Sequence, residues 1–138
     1  MRVHKKFIVV GSLLAIAAVA TPQLKQILKV GGMVGIVSAF GKDINKAFDK
    51  LHGKAEGVTT KTVVIISVGI NRSSAVGIAQ VMGPKSKVDQ VVAVAQPEAE
   101  LLGKEVRIRA LIPVASKDVT NIRRVDGVGV SGIVDLKL

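Results

Sequence analysis

At Gly57 the apolar residues of the chain change their period, and that change limits the available folds more than any single motif does. Before it, Met33, Val37, Phe40, Ile44, Ala47 and Leu51 recur at spacings of three and four, with Phe48 beside them. This spacing predicts an amphipathic helix over Met33 to Leu51. Lys42, Asp43, Lys46, Asp49 and Lys50 populate its other side, and Gly53 is suited to the stop after its last turn. After Gly57 the chain becomes β-branched. Thr59 to Ile70 reads as a strand without clean alternation, which is the pattern of burial on both faces. Asn71-Arg72-Ser73-Ser74 is turn chemistry and Ala75 to Met82 returns as a second strand, so a β-hairpin is expected, ended by Gly83-Pro84.

The next stretch carries two signals. Val88, Val91, Val92, Ala95, Ala99 and Leu102 fit helical spacing with Pro84 near a first helical position, yet Val91 to Ala95 is rich in strand formers and Pro97 breaks any single helix. Lys85 to Gln96 is read as a helix, with a strand as the competing reading. Lys104 to Val114 alternates Val106, Ile108, Ala110 and Ile112 with Glu105, Arg107 and Arg109, a strand with one face in the core and the other basic. Ser116 to Asp126 is a polar connection. Val128, Val130, Gly132, Val134, Leu136 and Leu138 then close the chain in period two. The expected fold class is α+β: an amphipathic helix, then a four-stranded antiparallel sheet in the order β-β-α-β-β. The central strands are apolar on both faces, so the second face needs a cover, either the Met33 to Leu51 helix or a second subunit. A homo-oligomer or a protein partner is the expectation in the latter case.

Ahead of this domain lies Phe7 to Ala20, FIVVGSLLAIAAVA, uncharged and preceded by the basic Met1-Arg2-Val3-His4-Lys5-Lys6. A basic start, an apolar run and the small residues Ala18 and Ala20 around Val19 match a signal peptide cut after Ala20. Fourteen helical residues rise roughly 21 Å, short of a hydrocarbon core of about 30 Å, which favours removal over spanning. Retention as an anchor stays open, because Gln23 to Val30 could extend the helix with Lys25 and Lys29 at the membrane surface. Residues 1–20 are therefore a signal peptide or membrane anchor, 21–56 a helical segment and 57–138 a β-rich domain packed with it. The expected location is outside the cytoplasm, in the periplasm or the exterior, whether free or held by the N-terminal segment. The run Ala15 to Gln23 resembles the end of a type IV pilin stem helix. Lys6-Phe7 stands where that family has Gly-Phe, and no acidic residue precedes Asp43, so no pilin function is carried over. Gly31-x-x-x-Gly35 could bring two membrane helices close, but its apolar run is only about a dozen residues, and it reads as the buried start of the helix.

Composition narrows the chemistry. The chain has 138 residues and a formal charge of +10; loss of Arg2, Lys5 and Lys6 with a leader would leave 118 residues and +7. That excess favours acidic partners, among them an anionic envelope component or the membrane surface. There is no cysteine, so disulfides and thiolate sites are excluded. Phe7, Phe40 and Phe48 are the only aromatic residues, which disfavours stacking on single-stranded nucleic acid or on sugar rings, and sequence-specific nucleic-acid binding is not expected.

No motif points to catalysis, to a cofactor or to a metal. Gly127-Val128-Gly129-Val130-Ser131-Gly132 matches G-x-G-x-x-G in letters, but the dinucleotide motif opens a helix and this one precedes six residues of alternating strand. Its glycines are expected to permit a bulge or close packing. His52 stands at a helix end, where interaction with the dipole explains it, and one histidine beyond the leader cannot build a histidine-rich metal site. Ser67, Ser73, Ser74, Ser86, Ser116 and Ser131 lack a local nucleophile signature. Glu98 and Glu100 would share a strand face as paired acids do, without the aromatic cleft that usually accompanies them. The constellation with most functional weight is basic: Arg107, Arg109, Lys117, Arg123 and Arg124 are candidate polyanion-binding residues. These features together point to an exported, non-enzymatic binding or assembly domain, or alternatively to a membrane-anchored structural subunit of a filament, virion or envelope complex.

Overall fold

The computed structural model describes residues 2–53, 55–68, 73–118 and 121–136, with side chains from residue 25 onward and Ser73 apart. The side chains of the Phe7 to Ala20 segment and the Asn71-Arg72 part of the expected turn lie outside the described residues.

Helix α1 (Arg2–His52) is two helical arms, because Gly32 between them has φ 63° and ψ −159°. The arms fold towards each other. A Cβ on Gly35 would stand 3.1 Å from Ile27 Cγ2 and 3.6 Å from the Ile27 carbonyl oxygen, whereas residues eight apart in a straight helix are separated by about 12 Å along the axis. Gly35 of the Gly31-x-x-x-Gly35 pattern and Gly32 within it thus make a corner in one chain: Gly32 takes the left-handed backbone, and Gly35 leaves room for Ile27. Residues 33–52 form the arm that packs on the sheet, in agreement with the periodicity from Met33 to Leu51.

Strands β1 (Thr59–Val68) and β2 (Ser73–Gly83) pair antiparallel as the expected hairpin, with a register irregularity at Ile65/Ile66. The next segment corrects the sequence reading. Helix α2 is the single turn Lys85–Val88, and strand β3 begins at Ala93 and runs to Leu101. The connection leaves β2 at the end where β1 starts, because Gly83 is opposite Thr59. A crossing of nine residues then delivers β3 to the other side of β1 running in the same direction, with Val64 beside Ala93. Val88 and Val91 are fully buried in this crossing, and Lys61 Nζ donates to the Val91 carbonyl at 2.6 Å. The apolar spacing that suggested a helix belongs instead to a short turn followed by a strand buried on both faces, where Ala93, Val94 and Ala95 are all enclosed.

The expected strand over Lys104 to Val114 is divided into β4 (Val106–Arg109) and β5 (Ile112–Val114), both antiparallel to β3. Its apolar face is not in the core over β4, where Val106 and Ile108 are exposed because that end of the sheet has no layer packed on it among the described residues. Strand β6 (Gly129–Val134) pairs antiparallel with β2. The sheet is therefore mixed and six-stranded, in the order β4-β3-β1-β2-β6 with β5 also on β3, rather than four-stranded and antiparallel. The α+β class stands; the size and the strand directions change.

Both faces of the central strands are covered within the chain. On one side Met33 and Val37 of α1 pack on Val64, Ile66, Ala93, Ala95 and Val114. On the other, Val63, Ile65, Ala79, Val81 and Val94 meet Val88 and Val91 of the crossing and Val125 of the segment after β5. Full burial of a valine or isoleucine side chain contributes about 1.5–3 kcal/mol each relative to exposure, so these two layers are the main source of cohesion.

Candidate functional site

Polar side chains on the inner side of α1 converge with those on β1, β2 and β6 where the helix crosses the sheet. Asn45, Asp49 and His52 are four and three residues apart, which places them along one helix face. Thr60 and Thr62 alternate on β1, Gln80 projects from β2 and Ser131 from β6. A bulge puts Ser131 there: Gln80 is opposite Gly132 and Val81 opposite Val130, leaving Ser131 as the extra residue. The helix comes this close because of Gly132, where a Cβ would lie 2.3 Å from Phe48 Cε1. The G-x-G-x-x-G letters thus sit in a turn and a strand, and their last glycine is a seat for the Phe48 ring.

Gln80, fully buried, is the centre of this network. Its Nε2 donates to Asn45 Oδ1 at 3.0 Å and to Asp49 Oδ1 at 2.9 Å. Its Oε1 accepts from Ser131 Oγ at 2.7 Å and lies 2.8 Å from His52 Nε2. Two donations and two acceptances saturate a primary amide and fix which way it points. Around it, Thr60 Oγ1 donates to the Asp49 carboxylate at 2.9 and 3.0 Å, Asn45 Nδ2 donates to Thr60 Oγ1 at 2.9 Å, and Thr62 Oγ1 donates to Asn45 Oδ1 at 3.0 Å. Among the described residues no buried side-chain nitrogen or oxygen lacks a partner.

His52 has a second constraint, since its Nδ1 lies 2.8 Å from the Gly53 carbonyl oxygen. Both ring nitrogens therefore face oxygens that only accept. A neutral imidazole has one N–H and can satisfy one of them; the imidazolium satisfies both. The Gln80 amide oxygen is the strongest influence raising the His52 pKa above its ordinary value, followed by the Gly53 carbonyl, with desolvation opposing and the Asp49 charge assisting.

Serine, histidine and aspartate thus meet here, but not as a nucleophile, base and orienting acid. Ser131 and His52 both point at Gln80 Oε1 instead of at each other, and Asp49 is hydrogen-bonded by Thr60 and Gln80. The amide holds the three apart, and the arrangement joins a helix to three strands. Among the described residues no three histidine or carboxylate side chains gather as metal ligands.

The basic candidates are spread along one edge of the sheet. Arg107 and Arg109 share Glu98 across the β3–β4 pair, with Arg107 Nη2 to Glu98 Oε2 at 2.7 Å and Arg109 Nε to Glu98 Oε1 at 3.6 Å. Arg107 is the main cause that holds the Glu98 pKa below the usual carboxylate value. Glu100 is opposite Arg107, so the paired acids of the sequence are partners for arginine. Arg124 bridges by its backbone to Val114 and its Nε lies 3.4 Å from Asp126 Oδ1; Arg123 and Lys117 are exposed nearby. Five residue steps of extended edge, roughly 17 Å, separate Arg109 from Val114. The structure brings Arg107 and Arg109 together and sets Arg123 and Arg124 apart from them.

No protein-family model, curated protein or solved structure has a significant match to the chain.

The polar network was missed in the sequence because its members are scattered from residue 45 to residue 131. One signal for half of it was present: Asn45, Asp49 and His52 repeat with the same helical spacing as the apolar stripe beside them. Gln80 within an otherwise apolar strand was the other.

Proposed function

We propose that this chain is an exported, non-enzymatic binding or assembly domain whose partner is an anionic component of the cell envelope, engaged by the outer side of α1. The observation that carries this is a set of exposed lysines on that helix. Lys42, Lys46 and Lys50 follow each other at intervals of four on the arm packed to the sheet, and Lys25 and Lys29 are exposed on the other arm. None of the five forms an ion pair among the described residues, whereas Arg107 and Arg109 share an acid. Uncompensated charge attracts anionic surfaces, and it does so most at low salt. The arrangement around Gln80 supports the non-enzymatic part, since Ser131 and His52 both point at Gln80 Oε1 instead of at each other and Asp49 is held by Thr60 and Gln80.

The test is cosedimentation with vesicles containing anionic lipid, compared with neutral vesicles. Lys42→Gln, Lys46→Gln and Lys50→Gln together are expected to weaken binding at least about tenfold at low salt, more than Arg107→Gln, Arg109→Gln, Arg123→Gln and Arg124→Gln together. Equal binding by the lysine variant and the unaltered protein would remove α1 as the surface.

A second reading, a membrane-anchored structural subunit, is favoured by the course of α1, whose first arm leads through the corner at Gly32 directly into the arm packed on the sheet. Intact mass of the natively expressed protein separates the two. A soluble species beginning at Thr21 supports the free domain, and a membrane species retaining Met1 or Arg2 supports the anchored subunit.

A further inference from the structure

From the structure we infer that the β3–β4 ribbon is a self-association surface, whose apolar face is covered by the same face of a second copy of this chain. This goes beyond the anionic partner proposed above and uses none of the lysines of α1.

The described pairing of β1 with β3 runs as far as Val68 opposite Pro97. Beyond that point residues 98–101 have β4 as their only described strand neighbour, and every residue from 98 to 110 is exposed. The register divides the ribbon into two faces. Glu98 and Glu100 stand opposite Arg109 and Arg107 on one; Ala99 and Leu101 stand opposite Ile108 and Val106 on the other. On the apolar face Leu101 is 49% exposed, Ile108 48% and Val106 39%. The turn joining the strands is tight, with Leu102, Gly103 and Lys104 all at positive φ and Glu105 N donating to the Leu102 carbonyl. A two-stranded hairpin with no third layer is marginal in water. Here, among the described residues, nothing covers the apolar face.

The charge balance selects the occupant. Glu98, Glu100 and Glu105 offset Lys104, Arg107 and Arg109, so the ribbon is formally neutral on a chain of +10. Two copies repel each other over most of their surface but not here. The ribbon offers an anionic partner no net attraction, while its apolar face is complementary to itself. Edge-to-edge pairing of two β4 strands is disfavoured: an in-face antiparallel register centred on Ile108 sets Arg107 against Arg109 of the other copy, and charged residues on an edge strand oppose such growth. The faces therefore meet by stacking. Four residue pairs span about 14 Å by about 10 Å, far less than the roughly 800 Å² per partner of a permanent dimer, so the association is weak and depends on concentration.

The experiment is sedimentation of the full chain in a mild non-ionic detergent, from micromolar concentration up to about 1 mM. A reversible dimer is expected, and Leu101→Asp with Ile108→Asp should weaken it at least about tenfold, while Ile133→Asp, at an exposed site on β6, should leave it unchanged. A second measurement does not depend on those charges being tolerated. The chain has no cysteine, so Ala99→Cys should form a disulfide-linked dimer under mild oxidation and Ile133→Cys should not. A monomer throughout the range, a dimer that survives the ribbon substitutions, or equal cross-linking by the two cysteine variants each overturns the proposal. Vesicle binding by the ribbon variants reports separately on α1 and is expected to be unchanged.

Discussion

The junction between α1 and the sheet and the ribbon formed by β3 and β4 both join elements through an acid and its hydrogen-bond donors, yet they do so under opposite conditions. At the junction, Asp49 accepts from Thr60 and from a Gln80 with no exposed surface, and among the described residues every buried side-chain nitrogen and oxygen has a partner. On the ribbon, Glu98 meets Arg107 at 2.7 Å in the open, with the arginine side chain 56% exposed. A hydrogen bond in a site closed to water is costly to leave half-made, because the stranded partner has no water to replace it. An exposed ion pair loses little when it breaks, since water and salt take over both charges. Similar distances therefore carry different weights: the junction fixes how the helix sits, and the ribbon pair neutralises charge locally.

The sharpest way to break this contrast is at Gln80. Gln80→Leu keeps the volume but removes the acceptor of Ser131 and His52 and one donor to Asn45 and to Asp49. It is expected to cost about 2–4 kcal/mol, measured as a shift in the denaturant midpoint with unchanged slope. A loss below about 0.5 kcal/mol would mean that the apolar layers alone seat the helix.

A smaller effect separates the two regions by pH. The folded state raises the His52 pKa, so its contribution to stability is fully present below the ordinary histidine value near 6.5 and is lost as pH rises through the raised folded value. His52→Gln should remove that alkaline-side decline from the stability profile, and the His52 C2–H resonance, assigned by its loss in that variant, should titrate above the ordinary histidine range. Glu98 has the opposite sign: its pKa is lowered, so its contribution is present above the ordinary carboxylate value and lost as pH falls through the folded one. Glu98→Gln is expected to leave the midpoint within error at every pH, because both partners are exposed. A Glu98 effect that exceeded the His52 effect would reverse the assignment of the two regions.

What was legible in the sequence was local. The helical period from Met33 to Leu51, the pairing of β1 with β2 and the strand at Val106 and Ile108 each follow from neighbours within a few residues, and each element is present, although Val106 and Ile108 are exposed and not in the core. The reading faltered at Lys85 to Gln96, where valines and alanines buried on two faces have no period to distinguish a strand from a helix. The candidate basic cluster was drawn from closeness in sequence; in the fold the extended edge of β4 and β5 lies between Arg109 and Val114, beside which Arg124 stands.

By itself, then, the sequence determined the amphipathic helix, the first hairpin, the absence of thiol chemistry and the basic charge, because each is a property of composition or of short-range spacing. Only the tertiary structure decided that β3 runs parallel to β1, that Gly32 and Gly35 form a corner, that Gly132 is a seat for Phe48, and that Gln80 gathers side chains from four elements. These depend on which distant segments meet, and that is set by the shared burial of apolar faces and the need to satisfy every polar group enclosed between them.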